Sequence, residues 1–291
     1  MSAVSPVRRR NRKPRDWWRH VVLVLAVVFA LVPIVFVVSA ALNPQGTLSS
    51  TALVPTGGVS LSNVGDLFAN TPFAHWYLNS LIVSGSAAFI SVFISAIAAY
   101  AFSRFRFRGR RVGLISLLLI QMFPQFLAIV ALFLMFSEVT ELWPGLGFNT
   151  LSGLTLVYLG GALGANTWLM KGFFDTVPKE LDESAVMDGA SHAQVFFRII
   201  LPLVTPILAV SGLLAFIGSI NEFLIANVFL TQPENKTLAI GLFGLINETN
   251  RNANFGIFAV GTLLTAIPTV AVFQLLQRYI VGGLTVGAVK G

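Results

Sequence analysis

Glu222 is the acid that asks most of the chain around it. It stands beside Asn221 in the otherwise apolar run AFIGSINEFLIANVFL. An ionisable side chain in a membrane span is costly in lipid and faces a cavity or a partner. Gln121 and Asn166 are amides in comparable runs. The three amides donate and accept hydrogen bonds and the carboxylate accepts them, so these groups either meet a polar solute or bond one helix to another. They do not form a catalytic set. The chain has no cysteine, which excludes disulfides, thiolate chemistry and cysteine metal sites. His20, His75 and His192 are scattered without metal-ligand spacing. No nucleophile–base pair stands out, and no Gly-x4-Gly-Lys-Ser/Thr loop is present to cradle a nucleotide.

The second candidate stretch is polar. Residues 175–206, DTVPKELDESAVMDGASHAQVFFRIILPLVTP, form the longest polar interruption in the C-terminal half. Thr176 is a candidate cap and Pro178 suits a first helical turn. Val177, Leu181 and Ala185 recur at spacings of four and share one face, with Glu183 and Met187 on a neighbouring face. Lys179 is placed to pair with Glu183 at i,i+4. Gly189 permits a left-handed turn. Ser191 with Gln194 reads as a capping box for a second helix, which carries an apolar stripe of Phe196, Ile199 and Ile200. Pro202 and Pro206 mark its hand-over to the next apolar run. The expectation is helix, glycine hinge, short helix, then membrane.

The elements that must position these groups are membrane spans. Of the 291 residues 55% are hydrophobic and 11% charged, against about 25% charged in a soluble domain. The apolar residues come in long runs, which places them in lipid and not in an oversized core. Six spans are expected, at about 21–42, 79–102, 112–136, 151–170, 203–230 and 255–280. Pro33, Pro124 and Pro268 interrupt the first, third and sixth. Ser39-Ala40-Ala41 resembles a signal-peptide cleavage site, but the first apolar run exceeds the usual h-region, so it reads as a retained span. The second span is rich in Ser, Ala and Gly, which let helices approach closely. Residues 43–77, 137–150 and 231–254 read as connecting loops.

Charge sets the orientation. The formal charge of +7 comes from 19 Lys and Arg against 12 Asp and Glu. The N-terminal arm has seven basic residues before the first span, followed by Trp17 and Trp18 at the interface. It reads as an anchor on an anionic leaflet and not as a nucleic-acid arm, because a span follows directly. The arm, the cluster Arg104, Arg106, Arg108, Arg110 and Arg111, the polar stretch and the tail carry 17 of the 19 basic residues; the three intervening loops carry two. This asymmetry predicts both termini and residues 175–206 on the cytoplasmic side. The resulting division is a basic arm at 1–20, a six-span domain at 21–281 with its cytoplasmic loop at about 171–202, and a tail at 282–291.

The polar stretch resembles the EAA loop of ABC importer permeases. Glu183-Ser184-Ala185, Asp188-Gly189-Ala190 and Ile199-Ile200-Leu201-Pro202 stand at the motif positions, with Ser184 where the family usually has alanine. From about Tyr77 onward the chain is similar to the MalG-type permeases of maltose and maltodextrin importers. The matching stretches are Ala99-Tyr100-Ala101-Phe102-Ser103-Arg104, Gln121-Met122-Phe123-Pro124, Tyr158-Leu159-Gly160-Gly161 and the C-terminal GLTVGAVKG. The first outer loop and the arm match poorly.

The resemblance implies an all-α integral membrane protein with the type I ABC importer permease fold, in a bacterial inner membrane. Implied partners are a second permease of the MalF type, a dimer of ATP-binding subunits and an extracytoplasmic sugar-binding protein. ATP and Mg would be held by the partner subunits, no cofactor by this chain, and no nucleic acid would be bound. Glu183, Ser184, Ala185, Asp188, Gly189, Ala190, Leu201 and Pro202 would couple the loop to the ATPase. Glu183 would meet a basic residue there, and Asp188 would cap or brace the hinge. Gly287, Val289 and Lys290 would add a tail contact with the ATPase pair, or else lie in a frayed terminus. Gln121, Asn166, Asn221 and Glu222 would line the sugar pathway, with Glu222 either on the pathway or bonded between helices. Asn247, Glu248, Thr249, Asn250, Arg251 and Asn252 would reach the binding protein. Rival expectations are another solute (trehalose, another oligosaccharide or glycerol phosphate), a stand-alone secondary transporter, or a membrane enzyme.

Overall fold

The computed structural model describes residues 17–44, 47, 52–55, 57–247, 252 and 254–288. Among them there is no strand. The helices are α1 Trp17–Leu42, α2 Ser62–Asn70, α3 Phe73–Arg104, α4 Arg110–Met122, α5 Ile129–Leu142, α6 Leu151–Phe174, α7 Glu180–Met187, α8 His192–Leu203, α9 Thr205–Ile220, α10 Leu224–Phe229, α11 Leu238–Asn247 and α12 Phe255–Ala288.

The third helix is the axis of the molecule. Its 32 residues make a rod of about 48 Å at 1.5 Å per residue. It packs against α6 and α9; α9 packs on α12, and α12 on α1. The face of α3 turned inward is built from small residues, with Ser80, Ser84, Ala87, Ser91, Ser95, Ala96 and Ala99 all buried. Their hydroxyls are satisfied locally, Ser84 donating to the Ser80 carbonyl, Ser91 to Ala88, and Ser95 across to Leu163 of α6. Small faces of this kind let backbones approach where lipid supplies no hydrophobic drive.

Among the described residues three larger apolar clusters succeed one another along this rod, with a small fourth at Ala88, Phe216 and Ile220. Phe73 and Trp76 pack with Leu67, Leu238, Leu242 and Val260 at one end. Val83 and Ala87 pack with Phe136, Tyr158 and Phe229 in the middle. Ala96, Ala99 and Tyr100 pack with Phe174, Ala185, Phe196 and Ile200 at the other end.

Three helices, α1, α3 and Phe255–Ile280 of α12, are singly long and apolar enough to cross a membrane; counting each bent pair as one span gives five. One such pair is α4 with the segment Phe126–Leu142, bent by 85°; the other is α8 with α9, bent by 76°. Pro124 and Pro206 explain both breaks, since proline removes a helical donor and clashes with the preceding turn. The expected span at 151–170 is present as the 24-residue α6, long enough at about 36 Å to cross, though Gly160, Gly161, Gly164 and Asn166 dilute its apolar character. Pro33 and Pro268 lie inside continuous helices.

Several expected loops are helical. The region 43–77 contains α2 and the first turn of α3. The region 137–150 contains the end of α5, and 231–254 contains α11. The sequence LAIGLFGLIN is polar only at its last residue, and Leu238, Ile240, Leu242 and Leu245 are buried. Helix α11 is therefore an apolar lid on the end of α3, where the expectation was a connecting loop. The expected fifth span, 203–230, is likewise two helices, α9 and α10, separated at Asn221–Phe223.

Both ends of α3 are fastened. Trp76 Nε1 donates to the Pro233 carbonyl at 3.0 Å, and Asn79 Nδ2 donates to those of Glu234 and Lys236 at 2.7 and 3.1 Å. The Leu238 amide donates to Ser80 Oγ at 2.7 Å. The same segment is held from the other side by Asn149, whose backbone is left-handed (φ 57°) and whose Oδ1 accepts from the Thr231 and Gln232 amides at 2.7 and 3.0 Å. At the opposite end Ser103 Oγ donates to Asp175 at 2.6 Å, and Lys171 Nζ donates to the same carboxylate at 2.5 Å.

Two predictions follow from these fastenings. A Cβ at Gly241 would stand 2.2 Å from the Trp76 ring, so Gly241→Ala is expected to destabilise the protein by about 1–3 kcal/mol, read as a lower melting midpoint in detergent. Burial opposes ionisation of Asp175, but hydrogen bonds from Lys171 and Ser103, and the charges of Lys171 and Arg110, outweigh it and hold the carboxyl below its usual pKa of 3.8. A lowered folded pKa gives stability that is present above the unfolded pKa and lost as pH falls through the folded one. The melting gap between wild type and Asp175→Asn should therefore stay constant above about pH 5 and close below about pH 4.

Candidate functional site: a coupling loop and a polar wall

Helix α7 is short and acidic at its start, with Glu180, Asp182 and Glu183 in the first turn, where carboxylates favour the helix dipole. It begins later than the sequence suggests. Thr176 does not cap it: its hydroxyl donates back to the Phe173 carbonyl at 2.7 Å, closing the end of α6. Lys179 occupies the cap position without a side-chain bond. Val177 thus falls in the preceding turn, and of the expected apolar face Ala185 is buried, Val177 half-buried and Leu181 exposed. Met187 is 87% exposed.

The turn after α7 is a Schellman closure. Gly189 has φ +87°, its amide donates to the Val186 carbonyl at 3.0 Å, and the Ala190 amide donates to the Ala185 carbonyl at 2.9 Å. Asp188 is the C-cap and acts there through its backbone. The expected capping box is present: Ser191 Oγ accepts from the Gln194 amide, and Gln194 Oε1 from the Ser191 amide at 2.7 Å. Residues 195–200 then wind as a π-helix that buries Phe196 and Ile200. Leu201 is half-buried and Pro202 exposed ahead of the bend at Val204.

The expected Lys179–Glu183 pair does not form; α7 is held instead by an ion pair between Asp182 and Arg104. Arg104, at the last residue of α3, places Nε 2.9 Å from Asp182 Oδ2, with 5% of its side chain exposed. The N–H is not aligned on that oxygen, so charge carries the contact. The guanidinium also donates to the carbonyls of Phe174 and Val177 at 3.3 and 3.0 Å. One side chain thereby joins α3, the end of α6 and α7. Beside it lies a hollow of about 410 Å³ lined by Tyr100, Asp182, Glu183, Val186, Met187 and His192 among others. Glu183 and Ser184 are exposed, so they are available to a partner.

The four expected pathway residues do not all meet. Asn166 and Glu222 line one hollow of about 480 Å³ with Tyr158, Leu214 and Ser219. Gln121 lines another of about 640 Å³, and the two share Val157, Gly161 and Ile225, so they form one wall. Gln121 Nε2 donates to the Gly161 carbonyl at 3.0 Å. Asn221 is turned away. It lines a different hollow with Phe223, Phe243 and Thr262, and Nδ2 returns to the Ile217 carbonyl at 2.8 Å.

Glu222 has a structural task as well. Oε1 accepts from the Ile225 amide at 2.8 Å and Oε2 from the Ala226 amide at 2.9 Å, which satisfies the free donors at the start of α10. Oε2 also accepts from the Tyr158 hydroxyl of α6 at 2.7 Å. The interhelical bond and the place on the wall are therefore both present. Sequence reasoning missed Tyr158 as a site residue; its signal was a phenol in a span, whose hydroxyl needs a partner. Asn166 is 8% exposed, its side-chain amide makes no hydrogen bond among the described residues, and it lines the same hollow.

Of the remaining expected residues, Asn247 ends α11 and Asn252 lies in a turn, while Glu248, Thr249, Asn250 and Arg251 fall outside the described residues. Gly287 is in the last turn of α12, and Val289 and Lys290 lie outside the described residues.

The family described as binding-protein-dependent transport system inner membrane component matches residues 91–286. The galactooligosaccharides transport system permease protein GanQ of Bacillus subtilis (strain 168) is 38% identical over 97% of this chain and 98% of its own. The maltodextrin transport system permease protein MdxG of the same strain is 36% identical over 94% and 95%. The maltose/maltodextrin transport system permease protein MalG of Escherichia coli (strain K12) is 36% identical over the full length of both chains. Among solved structures, a chain of a bacterial ABC transporter involved in the import of the acidic polysaccharide alginate superposes with a TM-score of 0.76, at 23% identity over 94% of this chain and 99% of that one. This chain belongs to the inner membrane components of binding-protein-dependent transport systems, with the ABC importer permease fold and full-length similarity to MalG-type permeases.

Proposed function

We propose that this chain is one of two permease subunits of an ATP-driven importer for neutral oligosaccharides of the maltodextrin class. The observation that carries the substrate class is the wall of Gln121, Tyr158, Asn166, Ser219 and Glu222, which holds amides, hydroxyls and a carboxylate and no Lys or Arg. Sugar hydroxyls need donors and acceptors of this kind, whereas a polyanion or a phosphate ester calls for cations on the path. The names of the galactooligosaccharide and maltodextrin relatives support the same class.

In this reading six spans place both termini in the cytoplasm of a bacterial inner membrane. A second, MalF-type permease completes the path. An extracytoplasmic binding protein delivers the sugar near 247–252, and a dimer of ATP-binding subunits, holding ATP and Mg, docks on α7. The exposed Glu183 and Met187 face that dimer, and the end of α12 with Val289 and Lys290 adds a second contact. ATP closure moves α7, and the bundle changes between discrete packings.

The test is ATP hydrolysis by the purified complex, with and without binding protein carrying maltose, maltotriose, a galactooligosaccharide or trehalose. Stimulation by one loaded form is expected. A complex that contains the ATPase but ignores all four sugars would move the substrate elsewhere, and an isolated chain that transports without any ATPase would mark a secondary transporter. Within a coupled complex, Gly189→Pro cannot keep φ at +87° and deletes the amide that closes α7. Transport is expected to fall by about tenfold or more while the spans stay folded, and unchanged transport would remove the loop from the coupling path.

A further inference from the structure

The fastenings at the two ends of α3 are not alike, and each holds an element that must face a different partner. At one end Arg104 grips α7 through Asp182 and the end of α6 through the Phe174 and Val177 carbonyls. At the other, Trp76, Asn79 and Ser80 grip the backbone at Pro233, Glu234, Lys236 and Leu238, immediately before α11. Between them runs an uninterrupted helix of 32 residues without proline. Of the other routes between these ends, α4 to α5 bends by 85°, α8 to α9 by 76°, and α9 to α10 is interrupted at Asn221–Phe223, while α6 runs unbroken against α3 from Asn149, which holds the Thr231 and Gln232 amides, to the Phe174 carbonyl that Arg104 grips.

We propose that α3 is a strut that transmits movement of α7 to the segment 233–247, with Arg104 and Asn79 as its positioning residues. This rests on the importer reading, in which α7 meets the ATPase and the end of α11 approaches the binding protein. A helix is stiff along its axis, and both end attachments go to backbone carbonyls or to a buried ion pair, so neither end slides when the other is displaced. Packing along the strut is close: a Cβ on Gly241 would strike the Trp76 ring. Signals between the two faces therefore pass through one subunit and do not require the partner permease.

This chain has no cysteine, so Glu234→Cys gives it a single thiol on an exposed residue of the outer segment, read on this subunit's band. The experiment measures its reaction rate with a water-soluble maleimide in the whole complex, resting and after vanadate trapping of ATP. Trapping is expected to change the rate by about fivefold. Arg104→Met and Asn79→Leu, at opposite ends, should each reduce that change to less than about twofold, with vanadate trapping itself retained. Arg106→Met, an exposed arginine in the same basic cluster, should leave the change intact. Should Arg104→Met release the ATPase, Asn79→Leu decides alone, because it lies at the far end of the strut.

An unaltered response in Asn79→Leu overturns the proposal. So does a wild-type complex that hydrolyses ATP in answer to loaded binding protein yet shows no change at position 234. Absence of any ATPase from the wild-type preparation is the distinct failure of the importer reading, and it removes the strut with it.

Discussion

Helices in lipid have no hydrophobic reason to prefer one another, so the fold depends on how closely α3 lets its neighbours approach. Its buried face is serine and alanine over most of its length, and this brings α6 and α9 against it. Dispersion between close backbones replaces the hydrophobic drive. Serine is tolerated because each buried hydroxyl on this face has a carbonyl to donate to, or an amide to accept from at Ser80. Larger side chains appear only at the two ends and at the middle cluster, where Phe73, Trp76 and Tyr100 reach past the small face to fill space between other helices.

The two charged sites follow one rule. Taking an ion out of water costs several kcal/mol unless its remaining hydrogen-bonding capacity is met. Arg104 meets it at both terminal nitrogens with carbonyls left free at the end of α6, leaving Nε to the charge of Asp182, and Glu222 meets it with amides left free at the start of α10. Helix ends are where a protein keeps unpaired backbone groups, so each buried charge sits at a helix break. The breaks and the charges explain one another: neither would be stable alone.

This rule also explains what could be read in the sequence. The capping box at Ser191 and Gln194, the left-handed Gly189 and the burial of Ile200 were legible because local chemistry settles them. Long apolar runs showed the helical membrane class. The Arg104–Asp182 contact was hidden because its partners lie 78 positions apart and look like two ordinary surface charges. Lys179 with Glu183, the pairing that spacing favoured, lost to it. The break at Asn221–Phe223 was hidden for the opposite reason: the run on either side is apolar enough to read as one span. Asn221 and Glu222 were grouped as neighbours, but successive residues at a helix end point in different directions, so only Glu222 reaches the wall with Asn166. Helix α11 was missed because a short apolar helix between two polar stretches carries too few turns to show its period.

The break at Glu222 ties the wall to the segment 231–238. Glu222 fixes the start of α10, and α10 is only six residues long. Its end is held by Asn149, whose amide donates to the Phe229 carbonyl at 2.9 Å and whose side chain takes up the amides of Thr231 and Gln232. The chain then runs directly into the carbonyls that Trp76 and Asn79 hold. No flexible linker separates these attachments. A displacement of the segment 231–238 must therefore either carry α10 with it or break the Glu222 cap, and the capping carboxylate also accepts the hydrogen bond that positions Tyr158 on the wall. The polar wall and the segment 231–238 are in this way mechanically one body, while the polar loop at the other end is joined to them by α3 and α6.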